Sequence, residues 1–315
     1  MIKILKFGGS SIKNAERIKN IVEIIRNQQQ GCKQIAIVVS AFGGMTDKLI
    51  EITENINDNK KFIYLVDEFQ NDHFQICNDL GVNNLNKIEE LFSELYYENN
   101  SIPIEINSQL KDRIISYGER LSAQIITKYF NLIGINADSL DARKVIITDN
   151  HFGSAFVHYQ ETYNTIGKYF SNVNSMQIIT GFIGSTHSGE TTTLGRSGSD
   201  YTASIFGAGL NANEIQIWTD VDGILSANPK IVENAKPIDN LNYEEAMELA
   251  HAGAKVIFPP TMVPALYKNI PIWIKNTFNP ENIGSLITRD SQHNDRVAVG
   301  ISSQSGMAMV RLQGA

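Results

Sequence analysis

The sequence predicts an α/β protein: an open, mostly parallel sheet with helices on both faces. Three observations carry that reading. Ile35-Ala36-Ile37-Val38-Val39 is a short, continuous apolar run of the kind found in strands buried on both faces. A strand, a glycine-bearing turn and a helix follow one another twice within about the first 60 residues. The β signal then returns repeatedly, separated by helix-length stretches.

Ile2-Lys3-Ile4-Leu5-Lys6-Phe7 reads as the first strand, and Gly8-Gly9-Ser10-Ser11 turns the chain into a helix from about Asn14 to Gln29. The apolar run at 35–39 ends in Ser40-Ala41-Phe42-Gly43-Gly44-Met45-Thr46-Asp47, a second glycine turn that leads into another helix. From about 58 to 130 the pattern is mainly helical, with breaks near Gly81 and Pro103. Further strands are expected at Val145-Ile146-Ile147, 177–182, Thr191-Thr192-Thr193, 214–219 and 270–274, with a helix from Tyr243 to Ala252. A length of 315 residues suits two lobes, whose boundary the pattern places near 176–190. Parallel α/β sheets take ligands at the C-terminal ends of their strands, so the glycine turns are the natural sites.

Composition narrows the possibilities. Apolar content of 42% with 19% charged residues is ordinary for a soluble globular chain. A net charge of −7 without any basic stripe argues against nucleic acid as a partner. Cys32 and Cys77 lack metal or redox spacing, and the six histidines lack HExxH or paired-ligand spacing. No stretch is long enough to span a bilayer and the N-terminus lacks the form of a signal peptide, so a cytoplasmic location with no membrane partner is expected.

The richest segment is Leu194-Gly195-Arg196-Ser197-Gly198-Ser199-Asp200-Tyr201-Thr202-Ala203. Two glycines turn backbone N–H groups toward a ligand, and the helix start adds its positive end. Arg196 offers a fork for a carboxylate or phosphate, while Asp200 places an anion in the first helical turn. Other signals are ambiguous when read alone. Lys6 could meet a phosphate held by the Gly8-Gly9 turn or be a surface lysine before it. Glu119 could hold an ammonium or pair with Arg120 or Lys128. Asp220 and Asp222 could orient a nucleotide or simply shape a turn. Lys255 could contact a nucleotide or complement a helix C-terminus. No Walker P-loop occurs, and the GxGxxA at Gly207–Ala212 lies at a helix end, where a dinucleotide fingerprint does not belong.

Together these segments resemble the catalytic part of aspartate kinases, within the amino-acid kinase superfamily. The matching blocks are KFGGSS at 6–11, VVSAFGGMTDKL at 38–49, SYGERLSA at 116–123, TGFIGS at 180–185, TTTLGRSGSDYTA at 191–203, WTDVDGI at 218–224 and AMELAHAGAKVI at 246–257. They stand in family order over about residues 2–288. The run 274–280 and the tail 299–310 look most like bifunctional aspartokinase–homoserine dehydrogenases.

The resemblance implies an N-terminal aspartate-binding lobe at 1–180 carrying the helical segment, and a nucleotide-binding lobe at 181–290. Residues 291–315 would begin an ACT-type regulatory region. It implies phosphorylation of the L-aspartate β-carboxylate by ATP with Mg²⁺, the first step toward lysine, threonine and methionine. Lys6 and Asp200 would be catalytic. Ser40, Thr46, Glu119, Phe182, Arg196 and Ser199 would bind aspartate. Lys6, Gly8, Gly9, Ser10, Thr219, Asp220, Leu225, Lys230, Lys255 and Val256 would meet the nucleotide. No protein metal site is implied, because Mg²⁺ rides on the ATP phosphates, and the full-length protein would be a homo-oligomer.

Three positions depart from the family pattern. Leu225 replaces a common aromatic residue, Lys230 a common arginine with its bidentate grip, and Phe258-Pro259-Pro260 a frequent His-Pro-Arg. The alternatives are another amino-acid kinase, such as a glutamate kinase, and a catalytically silent amino-acid sensor.

Overall fold

The computed structural model describes residues 1–101, 106–251, 258–290 and 298–301, together with 303, 306 and 308. Its strands are β1 (Ile2–Phe7), β2 (Gln34–Val39), β3 (Ala137–Leu140), β4 (Met176–Thr180), β5 (Ile183–Ser185), β6 (Thr191–Thr193), β7 (Glu214–Thr219), β8 (Asn240–Asn242), β9 (Ile272–Asn276) and β10 (Ser285–Thr288). Eight of them form one sheet in the order β3-β4-β2-β1-β7-β9-β10-β8, and β5 and β6 make a separate antiparallel pair. From β3 through β9 every neighbouring pair is parallel, and β10 turns antiparallel to β9. The sheet is therefore open and mostly parallel, as the apolar runs predict.

The helices are α1 (Ala15–Gln29), α2 (Met45–Glu54), α3 (Asn59–Leu80), α4 (Asn86–Tyr97), α5 (Ser108–Ile115), α6 (Tyr117–Leu132), α7 (Tyr159–Phe170), α8 (Gly198–Gly209), α9 (Tyr243–His251) and α10 (Pro259–Lys268). Asn14 caps α1 by accepting from the Arg17 N–H. Asp58 does the same for α3, and Gly81 ends that helix in a left-handed conformation.

Strand alternation divides the core between the two faces of the sheet. Leu5, Phe7, Ile37, Val39 and Ile178 pack against the side formed by α1 to α6. Ile4, Val38, Ile179, Ile215 and Ile217 pack on the side of α7, α8 and α10. Lys6 follows Ile4 by two residues and so shares the face covered by α8.

The strand expected at Val145-Ile146-Ile147 does not form. The chain makes a short 3-10 turn at Ala142–Lys144, capped by the Asp141 side chain, and the Ile146 N–H bonds back to the Ala142 carbonyl. Only one bridge, Ile147 to Ser185, touches another strand-like segment. Val145 and Ile146 are buried all the same. Their apolar, β-branched character reports burial here, not a place in a ladder. Of the tail expected to open a regulatory region, 291–297 and most of 302–315 lie outside the described residues. Within 298–301, the Ile301 N–H bonds to the Ser226 carbonyl.

In the helical layer His73 is fully buried among Phe42, Phe69 and Phe92, with ring centroids 5.5, 4.4 and 5.7 Å away. Its Nδ1 lies 2.7 Å from the Phe69 carbonyl, and Nε2 has no hydrogen-bond partner among the described residues. Burial pushes its pKa from 6.5 down to about 4. Between those values the unfolded chain takes up a proton that the folded one refuses, so stability falls as pH drops through that window. Urea melts at pH 7 and pH 5 are expected to show the wild type losing on the order of 2 kcal/mol more than a His73→Phe variant.

Candidate active site

Because the central strands are parallel, the C-terminal ends of β1, β2, β4 and β7 share one edge of the sheet, and strand order reverses direction at β1. At that edge the Gly8 N–H donates to the Trp218 carbonyl at 3.2 Å, tying the first turn to β7. A Cβ on Gly9 would stand 2.9 Å from the Ala41 carbonyl oxygen, so the two glycine turns meet where only glycine fits. Ser11 Oγ, 2.6 Å from Thr277 Oγ1, extends the contact to the segment after β9.

The segment that joins β4 to α8 is more contorted. Phe182 sits at φ 69, held by its N–H donating to Thr202 Oγ1 and by its carbonyl accepting from the Leu194 N–H. Gly195 and Ser197 also have positive φ, at 74 and 54, before α8 starts at Gly198. A positive φ at Phe182 and Ser197 is costly for residues with a Cβ and marks a site held by its surroundings.

A cavity of about 640 Å³ opens at this edge. Lys6 and Asp200 face it, as do Ser40 and Thr46 from the second glycine turn. Glu119 of α6 and Phe182, Arg196 and Ser199 complete the group that the sequence singles out for aspartate and catalysis. Lys6 Nζ lies 2.6 Å from Asp200 Oδ1, and both residues are only 8% exposed.

Glu119 is 3% exposed. Its Oε1 accepts from the Ala41 N–H at 3.1 Å, while Oε2 has no hydrogen-bond partner among the described residues. Burial pushes this carboxyl up to about 8, against the opposing pull of the Ala41 N–H and the Lys6 charge. The ion-pair alternatives raised by the sequence fall away: Arg120 pairs with Glu94 and lies over the Tyr117 ring, and Lys128 donates to Asn84. Arg196 carries its guanidinium 5.4 Å from the ring of Phe258, a position to which sequence reasoning gave no role.

The residues that the resemblance assigns to the nucleotide spread further. Gly8, Gly9 and Ser10 stand beside Thr219 and Asp220 across the β1–β7 pair, where Thr219 Oγ1 donates to Asp220 Oδ1. Asp222 Oδ1 accepts from Asn276 and Asn279, so it ties the loop after β7 to the segment after β9. Leu225 makes a bridge to Pro237, and Lys230 is exposed on the same loop. Neither lines the cavity, and Lys255 and Val256 lie outside the described residues. Among the described residues no three His, Cys, Asp or Glu side chains gather as a metal-holding group.

Sequence reasoning missed Lys111 and Asp112 of α5, and Gly153 and Thr193, all of which line the cavity. Asp112 is 2% exposed, although SQLKDRII reads as a helix whose charges face water. Nothing in the spacing marks it, because its partners are remote in sequence.

Glycine turns, a helix start and a buried Lys–Asp pair thus meet at the strand ends of an open α/β sheet. The sequence matches the amino acid kinase family over residues 1–276, and the chain belongs to that family. It is 33% identical to aspartokinase 3, chloroplastic, of Arabidopsis thaliana over 98% of this chain and 56% of that protein. A bifunctional aspartokinase/homoserine dehydrogenase of Buchnera aphidicola is 34% identical over 99% of the chain and 40% of that protein. Among solved structures, Escherichia coli aspartokinase III in complex with aspartate and ADP superposes with a TM-score of 0.86 at 30% identity, covering 93% of this chain and 66% of that one. The chain thus spans about half the length of the curated relatives it matches.

Gly181, between β4 and Phe182, tests how tightly the site is packed. A Cβ there would fall 2.6 Å from Ser199 Oγ and 2.9 Å from the Val39 carbonyl oxygen. Gly181→Ala is expected to cost about 1–3 kcal/mol of stability in urea melts, since the backbone side of the overlap cannot swing away.

Proposed function

We propose that this chain is the catalytic unit of an aspartate kinase, transferring the γ-phosphoryl group of ATP to the β-carboxylate of L-aspartate. The observation that carries the reading is the cavity in which the Lys6–Asp200 pair, Arg196 and the unpartnered Glu119 Oε2 converge. Aspartate presents one ammonium and two carboxylates. Glu119 is the buried acceptor for the ammonium, Arg196 the fork for a carboxylate, and Ser40, Thr46, Phe182 and Ser199 shape the remaining wall. In this reading residues 1–180 hold aspartate and 181–290 the nucleotide, with Gly8, Gly9, Ser10, Thr219, Asp220, Leu225, Lys230, Lys255 and Val256 on the nucleotide side.

A carboxylate is already a nucleophile, so the reaction needs no strong base. A β-carboxylate oxygen forms the new bond to the γ-phosphorus, the bond to the β,γ-bridging oxygen breaks, and ADP leaves with the electron pair. The obstacle is an anion approaching a polyanion. Lys6 stands where it can neutralise the transferring oxygens, and Asp200 holds the lysine aimed. The helix start at Gly198 and the Gly8-Gly9 turn add backbone donors. Mg²⁺ carried on the ATP phosphates would withdraw further charge from the transferring group. A cytoplasmic location and assembly into a homo-oligomer complete the proposal, with the segment from 291 onward opening a regulatory region.

Turnover with aspartate, glutamate and acetylglutamate in an ADP-coupled assay tests the substrate. Product formation with aspartate alone is expected. Turnover of glutamate in its place would make the chain a different amino-acid kinase, and aspartate binding without ATP turnover would make it a sensor. Each positioned charge contributes about 2–4 kcal/mol. Lys6→Ala and Asp200→Ala are therefore expected to lower kcat by roughly two to three orders of magnitude. Arg196→Ala should instead raise the KM for aspartate.

Glu119 gives a second signature. With its pKa near 8 the carboxyl is largely protonated at neutral pH. An ammonium seated against it favours the carboxylate, so aspartate binding at pH 7 must release a proton, and affinity must rise with pH toward 8. Calorimetry in buffers of different ionisation enthalpy is expected to show that release in wild type and its loss in Glu119→Gln.

A further inference from the structure

Asp112 is a buried carboxylate that forms no ion pair among the described residues. Its Oδ2 accepts from the Gly153 N–H and the Thr193 N–H, each at 2.8 Å, and its Oδ1 accepts from Thr193 Oγ1 at 2.8 Å. Lys111 beside it is exposed and acts only through its charge. Burying an unpaired carboxylate is expensive, and tying α5 to β6 for stability alone does not call for one.

The three bonds converge on the segment that presents Arg196. Thr193 is the last residue of β6, and its carbonyl accepts from the Ala155 N–H, so the strand end is pinned on both sides. Gly195, two residues on, packs against the other partner of Asp112: a Cβ on it would lie 3.2 Å from Ser154 Cβ and 3.4 Å from the Gly153 carbonyl oxygen. From Gly195 the chain passes through Arg196 to Ser197 with positive φ on either side of the arginine. A turn with two left-handed residues has its direction set by where its first residue is anchored.

We propose that Asp112 is the positioning residue for Arg196. Its carboxylate locks the end of β6 against the 153–155 segment, and so sets where the guanidinium meets the substrate carboxylate. This rests on the reading of the cavity as an aspartate site. Asn can keep the arrangement, with its oxygen toward the two N–H groups and its amide toward Thr193 Oγ1, whereas Ala empties it.

Calorimetric titration of the 315-residue chain with aspartate and, separately, with ADP tests the assignment. Asp112→Ala is expected to weaken aspartate binding at least tenfold, with ADP affinity within about twofold of wild type, and Asp112→Asn is expected to recover most of the loss. Equal aspartate affinity in Asp112→Ala, or a parallel loss for both ligands, would overturn the proposal. If Asp112→Ala does not fold, Thr193→Val decides: removing the hydroxyl bond should weaken aspartate binding two- to fivefold and leave ADP alone, and parity with wild type would refute it. A wild-type chain that binds ADP but not aspartate would instead bring down the functional reading, and this inference with it.

Discussion

The contact between Lys6 and Asp200 is the constraint around which the rest is arranged. It joins the central strand of the sheet to the first turn of α8, and it puts a fixed positive charge where the parallel strands end. As a source of stability such a pair is poor, because removing two charges from water offsets most of their attraction. Its presence at the floor of a cavity makes sense as preorganised electrostatics. The lysine need not be reoriented when negative charge develops nearby.

The neighbouring features follow from that placement. Bringing α8 close enough for Asp200 to reach Lys6 requires the chain to leave β4 sharply. Gly181 and the left-handed Phe182 supply that exit, and Thr202 of the same helix holds Phe182 in place. The glycine turn after β2 closes the opposite wall and aims the Ala41 N–H at Glu119. Glu119 is thereby buried with one oxygen satisfied and one left over, in a cavity lined by Lys6, Lys111 and Arg196 as well as by Asp112 and Asp200. In the proposed function that leftover oxygen is the acceptor for the substrate ammonium.

Much of this was legible in the sequence because its components are local. A strand, a glycine turn and a helix start lie next to one another in the chain, and Gly195, Arg196, Ser199 and Asp200 fall within six consecutive residues. The helical segment was legible for the same reason, since its periodicity is local. The features that escaped are made by distance. Asp112 meets Gly153 and Thr193 across intervals of 41 and 81 residues, and its helix reads as an ordinary amphipathic one. Phe258 reaches Arg196 from beyond β7, β8 and α9 in the chain. Val145 and Ile146 looked like a strand because burial and strand pairing demand the same residues, and only the capped turn at Asp141 separates the two.

A crystal structure of the chain with aspartate and ADP tests the central claim most directly. Glu119 Oε2 is expected within hydrogen-bond distance of the aspartate ammonium, with a carboxylate held by Arg196 and Lys6 Nζ between Asp200 and the ADP phosphates. Aspartate seated outside this cavity, or phosphates bound where Lys6 cannot reach them, would contradict it.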